Sequence, residues 1–265
     1  MNDNYLPHLG AEKDSCGTGF VAKISGQASH SILKMALASV VNLTHRGAVS
    51  ADAKTGDGAG VLTQIPQRLF ARELAALGYR SPKPGDLAVG VFFLPLKDLE
   101  ARKRAQAIAE EALAHYKLTF LGWRDVPVQQ SALGDLSSRT APFIRHLLVG
   151  RPQGMDPQVY TRTLYLARKE VEARAKKEGI KGLYIPSFSN KTIVYKGMLV
   201  APQLERFYLD LQDPDYETAM AVFHQRYSTN TFPTWPLAQP FRFLAHNGEI
   251  NTLTGNVNWM KAREP

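Results

Sequence analysis

The single cysteine of this 265-residue chain, Cys16, lies in the segment DSCGTGF, residues 14–20. One thiol cannot form an intrachain disulfide or a cysteine-rich metal site. The apolar stretch 20–24 predicts a strand directly after it. If residues 1–15 were removed, the thiol would lie beside its own α-amino group, whose usual pKa of about 7.7–8.0 suits a general base near neutrality. The alternative is a buried structural cysteine, because free cysteines are among the most buried residues.

Two arginines have neighbours that suit a carboxylate ligand. Arg46 precedes Gly47, and a guanidinium there could bind a carboxylate with two hydrogen bonds. Arg226 follows an apolar run and precedes hydroxyl groups, Thr229 among them, which together suit a zwitterionic ligand. For the Arg226 segment the structural alternative is an ordinary polar end of a strand, and Arg46 taken alone is a weak signal. His45, at a predicted helix end, is more typical of a capping or hydrogen-bonding residue than of a base.

Asn247 and Gly248 have the composition of an oxyanion hole. An Asn side chain and a Gly backbone N–H can converge on one point as two uncharged donors. The alternative is an Asn-Gly hairpin turn, although the helical pattern of residues 251–263 fits that less well. His224, His246 and Glu249 could in principle bind a metal, but no His-x-x-x-His pattern or cysteine cluster supports one. We therefore predict no metal site.

The glycine-rich loop 55–60 lacks the Gly-Lys-Ser/Thr of a phosphate-binding P-loop and the third glycine of a dinucleotide site. Glycine allows close backbone approach, so the loop predicts tight packing beside an active site rather than a nucleotide.

These residues require a scaffold of helices and strands. Hydrophobic periodicity and Gly/Pro boundaries predict helices at 31–43, 67–77, 97–116, 158–178 and 251–263. They predict strands at 16–24, 61–65, 87–94, 142–149, 191–195, 207–211, 219–228 and 241–245. Long helices among several strands favour a layered α+β or α/β body in one domain over an all-β barrel.

The composition excludes several classes of protein. A hydrophobic fraction of 44% and a charged fraction of 21% are typical of soluble globular proteins, and no run approaches the roughly 18 apolar residues of a membrane span. Residues 1–15 lack the apolar segment of a secretory signal. One cysteine and no export signal predict a cytoplasmic location.

The net charge of +8 raises the possibility of nucleic-acid binding. Much of the positive charge lies at 97–117 and 162–181, where Lys and Arg alternate with Glu at helical spacing, as on a solvated helix face with i,i+4 pairs. Aromatic residues are not interleaved with the basic ones. The pattern predicts no nucleic-acid partner.

Taken together, segments 16–20, 45–47, 55–60, 224–229 and 246–251 resemble the class II glutamine amidotransferases, whose nucleophile is an N-terminal cysteine. Within that family, segments 55–60, 192–199, 230–235 and 251–256 resemble the glutamate synthase group. The resemblance covers essentially the whole chain after Cys16. It implies an α+β fold, a four-layer αββα sandwich of the N-terminal-nucleophile hydrolase type. It also implies a leader, residues 1–15, that is removed, and an amidotransferase domain over 16–265 that is truncated at its C-terminus, before the aspartate that holds the substrate amine in the wider family.

The resemblance also implies the roles of the site residues. Cys16 would attack the side-chain amide of L-glutamine, with its own α-amino group transferring the proton. Asn247 and Gly248 would bind the oxyanion. Arg226, with Thr229 nearby, would bind the substrate carboxylate, and Arg46 would lie close to the nucleophile.

For the complete enzyme, the resemblance implies that ammonia passes to a synthase domain of the same polypeptide. That domain would add the ammonia to 2-oxoglutarate. FMN and an iron–sulfur cluster would lie there, with no cofactor in this chain, because a single cysteine could not ligate a cluster. An electron-donating small subunit is a further possible partner.

Two alternatives remain open. One is the glutaminase domain of a sugar or asparagine synthetase, against which the long insertion between Gly60 and His224 argues. The other is a non-catalytic binding domain that retains the leader.

Overall fold

The computed structural model describes residues 17–50, 52, 54–80, 82–225, 232–242 and 253–264. In chain order, its helices and strands are β1 (Thr18–Ala22), α1 (His30–Asn42), β2 (Ala59–Gln64), α2 (Gln67–Ala76), β3 (Leu87–Leu94), α3 (Leu99–His115), β4 (Thr119–Asp125), α4 (Asp135–Thr140), β5 (Phe143–Gly150), α5 (Pro157–Lys177), β6 (Tyr184–Ser189), β7 (Thr192–Gly197), α6 (Ala201–Phe207), β8 (Met220–Gln225) and α7 (Leu253–Lys261).

The strands form two antiparallel sheets of four. The first has the order β1-β8-β2-β7 and the second β4-β5-β3-β6. In the first sheet Thr18 pairs with His224, and Ala59 pairs with both Gln225 and Gly197. The start of β1, the start of β2 and the ends of β7 and β8 therefore meet at one edge, which we call the site edge.

The two sheets face each other across a shared hydrophobic core. The rings of Tyr195 on β7 and His146 on β5 meet edge to face, with centroids 5.8 Å apart. All eight residues of β3 are buried, and alternate residues enter two cores. Val89, Val91 and Phe93 join the core between the sheets, whereas Ala88 and Phe92 pack with α3 and α5. Burial on both faces explains why this strand is apolar throughout.

Helices cover the sheets on their outer sides. Helices α3 and α5 pack together against the second sheet, and α1 packs along β8 and β1 of the first. The predicted α+β class is confirmed, and the arrangement has the character of an αββα sandwich of the N-terminal-nucleophile hydrolase type.

The basic helices carry their charge in ion pairs, as their spacing predicts. Within α5, Arg168 contacts Glu172 at 2.9 Å. Arg104 on α3 contacts Glu178, the residue after α5, at 2.6 Å, and it contacts Glu111 of its own helix at 2.8 Å. Much of the positive charge of these two helices is therefore compensated locally.

One predicted strand is wrong. Residues 207–211 contain the end of α6 and a 3-10 turn, Leu209–Gln212, rather than a strand. Phe207 and Leu211 are both buried, and their i,i+4 spacing suits a helical path as well as their apolar character suits a strand. Residues 241–242 are not in a strand, and the rest of the predicted strand 241–245 lies outside the described residues.

The sequence reasoning missed two strands, β4 and β6. In β4 the pairing register shifts between Phe120 and Gly122, and Gly122 has a φ of 144°. Such an irregularity breaks the two-residue alternation that marks a strand. The β6 segment contains Pro186 and Ser187, which conceal a strand in a sequence pattern.

Candidate active site

The structure describes the surroundings of the predicted site rather than most of its residues. Five predicted site residues lie outside the described ranges: Cys16, Arg226, Thr229, Asn247 and Gly248. Arg46 ends the 3-10 turn Thr44–Arg46, but its side chain is not described. The geometry of the site therefore comes from the residues bonded to these positions.

Gly17, next to Cys16, is hydrogen-bonded to Gln225, next to Arg226. The Gln225 N–H donates to the Gly17 carbonyl oxygen at 2.7 Å, which continues the β1–β8 pairing beyond Thr18 and His224. A Cβ added at Gly17 would overlap the carbonyl oxygen of Gln225, so only glycine fits there. Gly17 and Gln225 are the described residues covalently bonded to positions 16 and 226.

Gly47, next to Arg46, packs against the side chain of the same glutamine. A Cβ added at Gly47 would overlap the Gln225 amide nitrogen, and Asp57 Oδ1 lies 3.4 Å from that Cβ position. Three predicted site positions, 16, 46 and 226, are thus each bonded to one member of a contacting group: Gly17, Gly47 and Gln225. The structure brings these three segments together at the site edge.

The glycine-rich loop is tightly packed, as its composition predicts. A Cβ added at Gly56 would overlap the backbone of Leu199, and one added at Gly60 would lie 2.5 Å from the Gln239 carbonyl oxygen. The Asp52 carboxylate accepts hydrogen bonds from Thr55, whose backbone N–H lies 2.7 Å away. These hydrogen bonds hold the pKa of Asp52 well below its usual range.

The segment 232–242, which separates the predicted Arg226–Thr229 and Asn247–Gly248 groups in sequence, lies over β2 and β7. The indole N–H of Trp235 donates to the Ser137 carbonyl oxygen at 3.1 Å, and a Cβ added at Gly197 would overlap the Trp235 ring. Lys196 Nζ donates to the Pro236 carbonyl oxygen at 2.7 Å. Close packing on β7 thus holds this segment beside the site edge.

Lys196 is a buried amine at this junction. Its Nζ also donates to the Tyr184 hydroxyl at 3.2 Å and lies 4.6 Å from the centre of the Phe241 ring. Burial, and secondarily the positive charge of Arg242, lowers the pKa of Lys196 to about 6. The two aromatic rings, Tyr184 and Phe241, favour the charged form and partly offset the burial.

His45 has the hydrogen-bonding role that the sequence favoured. It is exposed, and its Nδ1 lies 3.1 Å from the carbonyl oxygen of Asn42 one turn earlier. His224, by contrast, is fully buried in β8 and pairs with Thr18 on one side and Gly60 on the other.

Within the described ranges, no three His, Cys, Asp or Glu side chains are grouped to hold a metal ion. A cavity of about 550 Å³ lies elsewhere, between α5, the start of β6 and Arg242, and Gly17, Gly47 and Gln225 are not among its lining residues. We therefore assign the site from the contacts around Gln225 rather than from cavity size.

The sequence reasoning assigned no role to Gln225. Its signal lies in the two-residue period of β8, where Ala221 and Phe223 are buried and Gln225 follows on the same side of the strand. A glutamine at the next position of a buried apolar face predicts a side-chain amide that is enclosed by the fold.

Comparison with known proteins decides the family. The family model for class-II glutamine amidotransferases matches residues 16–265. The chain belongs to this family. The match begins at Cys16 and takes in each of the predicted site positions.

Several curated glutamate synthases are similar to this amidotransferase domain. It is 46% identical over 253 residues to the glutamate synthase [NADPH] large chain of Azospirillum brasilense, covering 96% of this chain and 17% of that protein. It is 46% identical over 258 residues to ferredoxin-dependent glutamate synthase 2 of Synechocystis, covering 97% and 16%. To glutamate synthase [NADH] of Saccharomyces cerevisiae it is 44% identical over 262 residues, covering 96% and 12%. The chain thus spans at most 17% of the length of these relatives.

None of the helices in the described part of the amidotransferase domain has the length and hydropathy of a membrane span.

Proposed function

We propose that this chain is a glutaminase domain that hydrolyses the side-chain amide of L-glutamine through a thioester on Cys16. The observation that carries the proposal is that Gln225 contacts both Gly17 and Gly47. These three residues adjoin Cys16, Arg46 and Arg226 in the sequence, which supply a thiol and two guanidinium groups. The family match that begins at residue 16 supports the same reading.

The first step requires removal of residues 1–15, which frees the α-amino group of Cys16. Cys16 Sγ then attacks the amide carbon while the thiol proton passes to that amine. The amide oxygen becomes an oxyanion, which accepts hydrogen bonds from the Asn247 side chain and the Gly248 N–H. The amine next returns the proton to the leaving nitrogen, the C–N bond breaks, and ammonia departs from a thioester.

Water completes the reaction. The same amine removes a proton from water as the water oxygen attacks the thioester carbon. The C–S bond then breaks, the amine returns that proton to the sulfur, and glutamate and the free thiol result. Arg226 and Thr229 hold the substrate α-carboxylate, and Arg46 lies close to the nucleophile. The glycines at 17 and 47 allow Gln225 to approach both segments closely, because neither carries a side chain.

We further propose that the parent enzyme is a glutamate synthase, which passes the ammonia to a synthase domain of the same polypeptide to aminate 2-oxoglutarate. The names and identities of the relatives support this assignment. The lone cysteine could not ligate an iron–sulfur cluster, and we place such a cluster, together with FMN, in the remainder of the enzyme. An electron-donating subunit and a cytoplasmic location complete the proposal.

The test combines intact mass with glutamine hydrolysis. The longest native polypeptide containing this chain, and its Cys16→Ala variant, are expressed in a host able to process the leader. We expect the wild type to begin at Cys16 and release glutamate and ammonia, and the variant to release neither. A wild type that hydrolyses glutamine with residues 1–15 intact, or a Cys16→Ala variant with undiminished turnover, would refute the mechanism.

A further inference from the structure

One side of α5 faces a cavity whose positive charge is not balanced. The cavity of about 550 Å³ between α5, the start of β6 and Arg242 has a single acidic residue, Glu172, among the described residues that line it. Five Lys and Arg residues line it as well: Arg168, Lys169, Lys176, Lys181 and Arg242. Within the described ranges, Lys176 and Lys181 form no ion pair. The C-terminus of α5 adds only about half a negative charge, so the lining keeps a positive excess.

The carboxylate of Glu172 is shared by three of these cations. Its Oε1 atom accepts hydrogen bonds from Arg168 at 2.9 Å and from Arg242 at 3.3 Å. Its Oε2 atom lies 3.4 Å from Lys169 Nζ. Two guanidinium groups that contact the same oxygen lie side by side, and one carboxylate cannot neutralise both of them.

The Arg242 guanidinium is only partly satisfied. Its Nη2 atom donates to Glu172 and to the Ile185 carbonyl oxygen, whereas its buried Nε has no hydrogen-bond partner among the residues that the structure describes. Burial, and secondarily the positive charge of Arg168, lowers the pKa of Arg242 below its ordinary value. An unpaired donor and a neighbouring like charge both favour an additional anion at this point.

The rest of the lining suits an apolar body. Ile180, Leu183 and Tyr184 line the cavity beside the arginines, and the Arg242 guanidinium lies over the Tyr184 ring, 5.6 Å from its centre. The volume lies within the range of roughly 300–1,000 Å³ that is usual for small-molecule sites. The cavity therefore accommodates more than a bare inorganic ion.

We propose that this cavity binds a small molecule that carries a phosphate group on an apolar or aromatic body, with Arg168 and Arg242 as the phosphate ligands. A phosphate monoester has about 1.5–2 negative charges near pH 7 and three acceptor oxygens, whereas a carboxylate has one charge. Neighbouring guanidinium groups suit it because each presents its donors in a fixed plane. The exposed lysines of the lining add a longer-range attraction. No part of this assignment depends on glutamine hydrolysis.

The test measures the dissociation constant of phenyl phosphate by isothermal titration calorimetry, in the longest native polypeptide that contains this chain. The variants are Arg242→Gln, Glu172→Gln and Lys176→Gln. Lys177→Gln is the matched control for Lys176→Gln, because Lys177 is the next residue of α5 and is also exposed, but is not among the residues that line the cavity. Benzoate is the comparison ligand, since it places one negative charge on the same ring.

We expect phenyl phosphate to bind the wild type at one site, and Arg242→Gln to weaken that binding at least about tenfold through loss of charge-assisted hydrogen bonds. Glu172→Gln should instead tighten it severalfold, because it removes a negative charge beside the phosphate. At low salt Lys176→Gln should weaken binding about threefold, the scale of an exposed ion pair, while Lys177→Gln changes it little. Benzoate should bind at least about tenfold more weakly than phenyl phosphate.

Phenyl phosphate that fails to bind, or that binds the wild type and Arg242→Gln equally well, would overturn the inference. Equal affinity for benzoate would make the cavity a carboxylate site, and equal effects of Lys176→Gln and Lys177→Gln would indicate nonspecific attraction to the helix. Binding that is lost in Arg226→Lys would place the anion at the proposed substrate carboxylate site instead. If Arg242→Gln does not fold, the direction of the Glu172→Gln effect and the contrast between the two lysine variants decide the question.

Discussion

The Gly17 carbonyl oxygen accepts a hydrogen bond of 2.7 Å from the Gln225 N–H, which joins the first described residue to the end of β8. This contact lies at the site edge of the first sheet. It links the position after the proposed nucleophile with the position before the proposed carboxylate ligand, Arg226.

Gly17→Ala is expected to abolish glutamine hydrolysis. The added Cβ would overlap the Gln225 carbonyl oxygen, so the strand start must shift. We expect a decrease of at least about 100-fold in kcat/KM, since displacements near 1 Å can cost that much. Gly150→Ala is the control, because its nearest neighbour would lie 3.5 Å from the new Cβ. Undiminished activity in Gly17→Ala would contradict the prediction.

Gly47→Ala should show coupling to residue 225. Its Cβ would overlap the Gln225 side-chain amide, and that amide has no open space to move into because the residue is fully buried. We expect a loss of about 1–3 kcal/mol of stability from overpacking. Shortening Gln225 to Ala removes the overlap, so the double variant should be more stable than the sum of the single changes implies. Strict additivity in urea unfolding would show that the two side chains do not meet.

Arg226→Lys is expected to raise the KM for glutamine while kcat changes much less. Lysine keeps the charge but loses the two-pronged geometry that fits a carboxylate, which corresponds to about a 10- to 100-fold weaker interaction. The control is Arg206→Lys, on the exposed side of α6. Initial rates over a range of glutamine concentrations give both constants. A fall in kcat with unchanged KM would place Arg226 in the chemistry rather than in substrate binding.

Lys196 should make stability depend on pH. Its pKa is about 6 in the folded state against an ordinary value of 10.5. Between these values the unfolded state binds more protons than the folded state, so stability rises with pH across that window, by at most about 1.4 kcal/mol per pH unit. Lys196→Met removes this dependence.

The measurement is urea unfolding of the wild type and Lys196→Met at several pH values between 6 and 10. The stability of the wild type relative to the variant should increase as the pH rises, while contributions from other groups cancel in the difference. Lys191→Met, at an exposed lysine in the β6–β7 turn, should instead run parallel to the wild type. A constant difference between wild type and Lys196→Met would mean that Lys196 stays charged in the folded protein.

Removing one partner of the buried ion pair of Arg124 and Asp210 should lower the free energy of unfolding of the domain. Two hydrogen bonds of 2.8 and 2.7 Å join the guanidinium to the carboxylate, and the Tyr195 hydroxyl donates to the same carboxylate at 2.8 Å. Asp210→Asn removes the charge that accepts these hydrogen bonds, although the Glu73 carboxylate, 2.6 Å from Arg124 Nε, stays as an ion partner of the arginine. We therefore expect a loss of about 1–3 kcal/mol.

The matched control for that pair is Glu100→Gln, which breaks the exposed Lys103–Glu100 ion pair and should cost less than about 1 kcal/mol. Equal losses in the two variants would show that burial of the Arg124 pair has no energetic importance.

Much of the scaffold could be predicted because its pattern is local. The limits of β3 agree with the apolar run 87–94, and helices α2 and α5 lie within about one residue of their predicted ends. The failed strand at 207–211 and the missed β4 and β6 have the opposite character. Their conformations depend on what packs against Phe207, on a register shift at Gly122 and on burial of Ser187 by neighbouring strands.

The sequence by itself determined the reactive groups and the family, because a lone cysteine, two arginines and an Asn-Gly pair occur in segments that the class II amidotransferases share. Only the tertiary structure decided which of those segments touch. Gly17 and Gln225 are distant in sequence, and their hydrogen bond follows from the pairing of β1 with β8. Gly47 follows the 3-10 turn after α1, and its contact with the Gln225 side chain depends on how that turn packs against the sheet. Sheet order depends on the packing of the whole domain, and so does the enclosure of the Gln225 amide at the site edge.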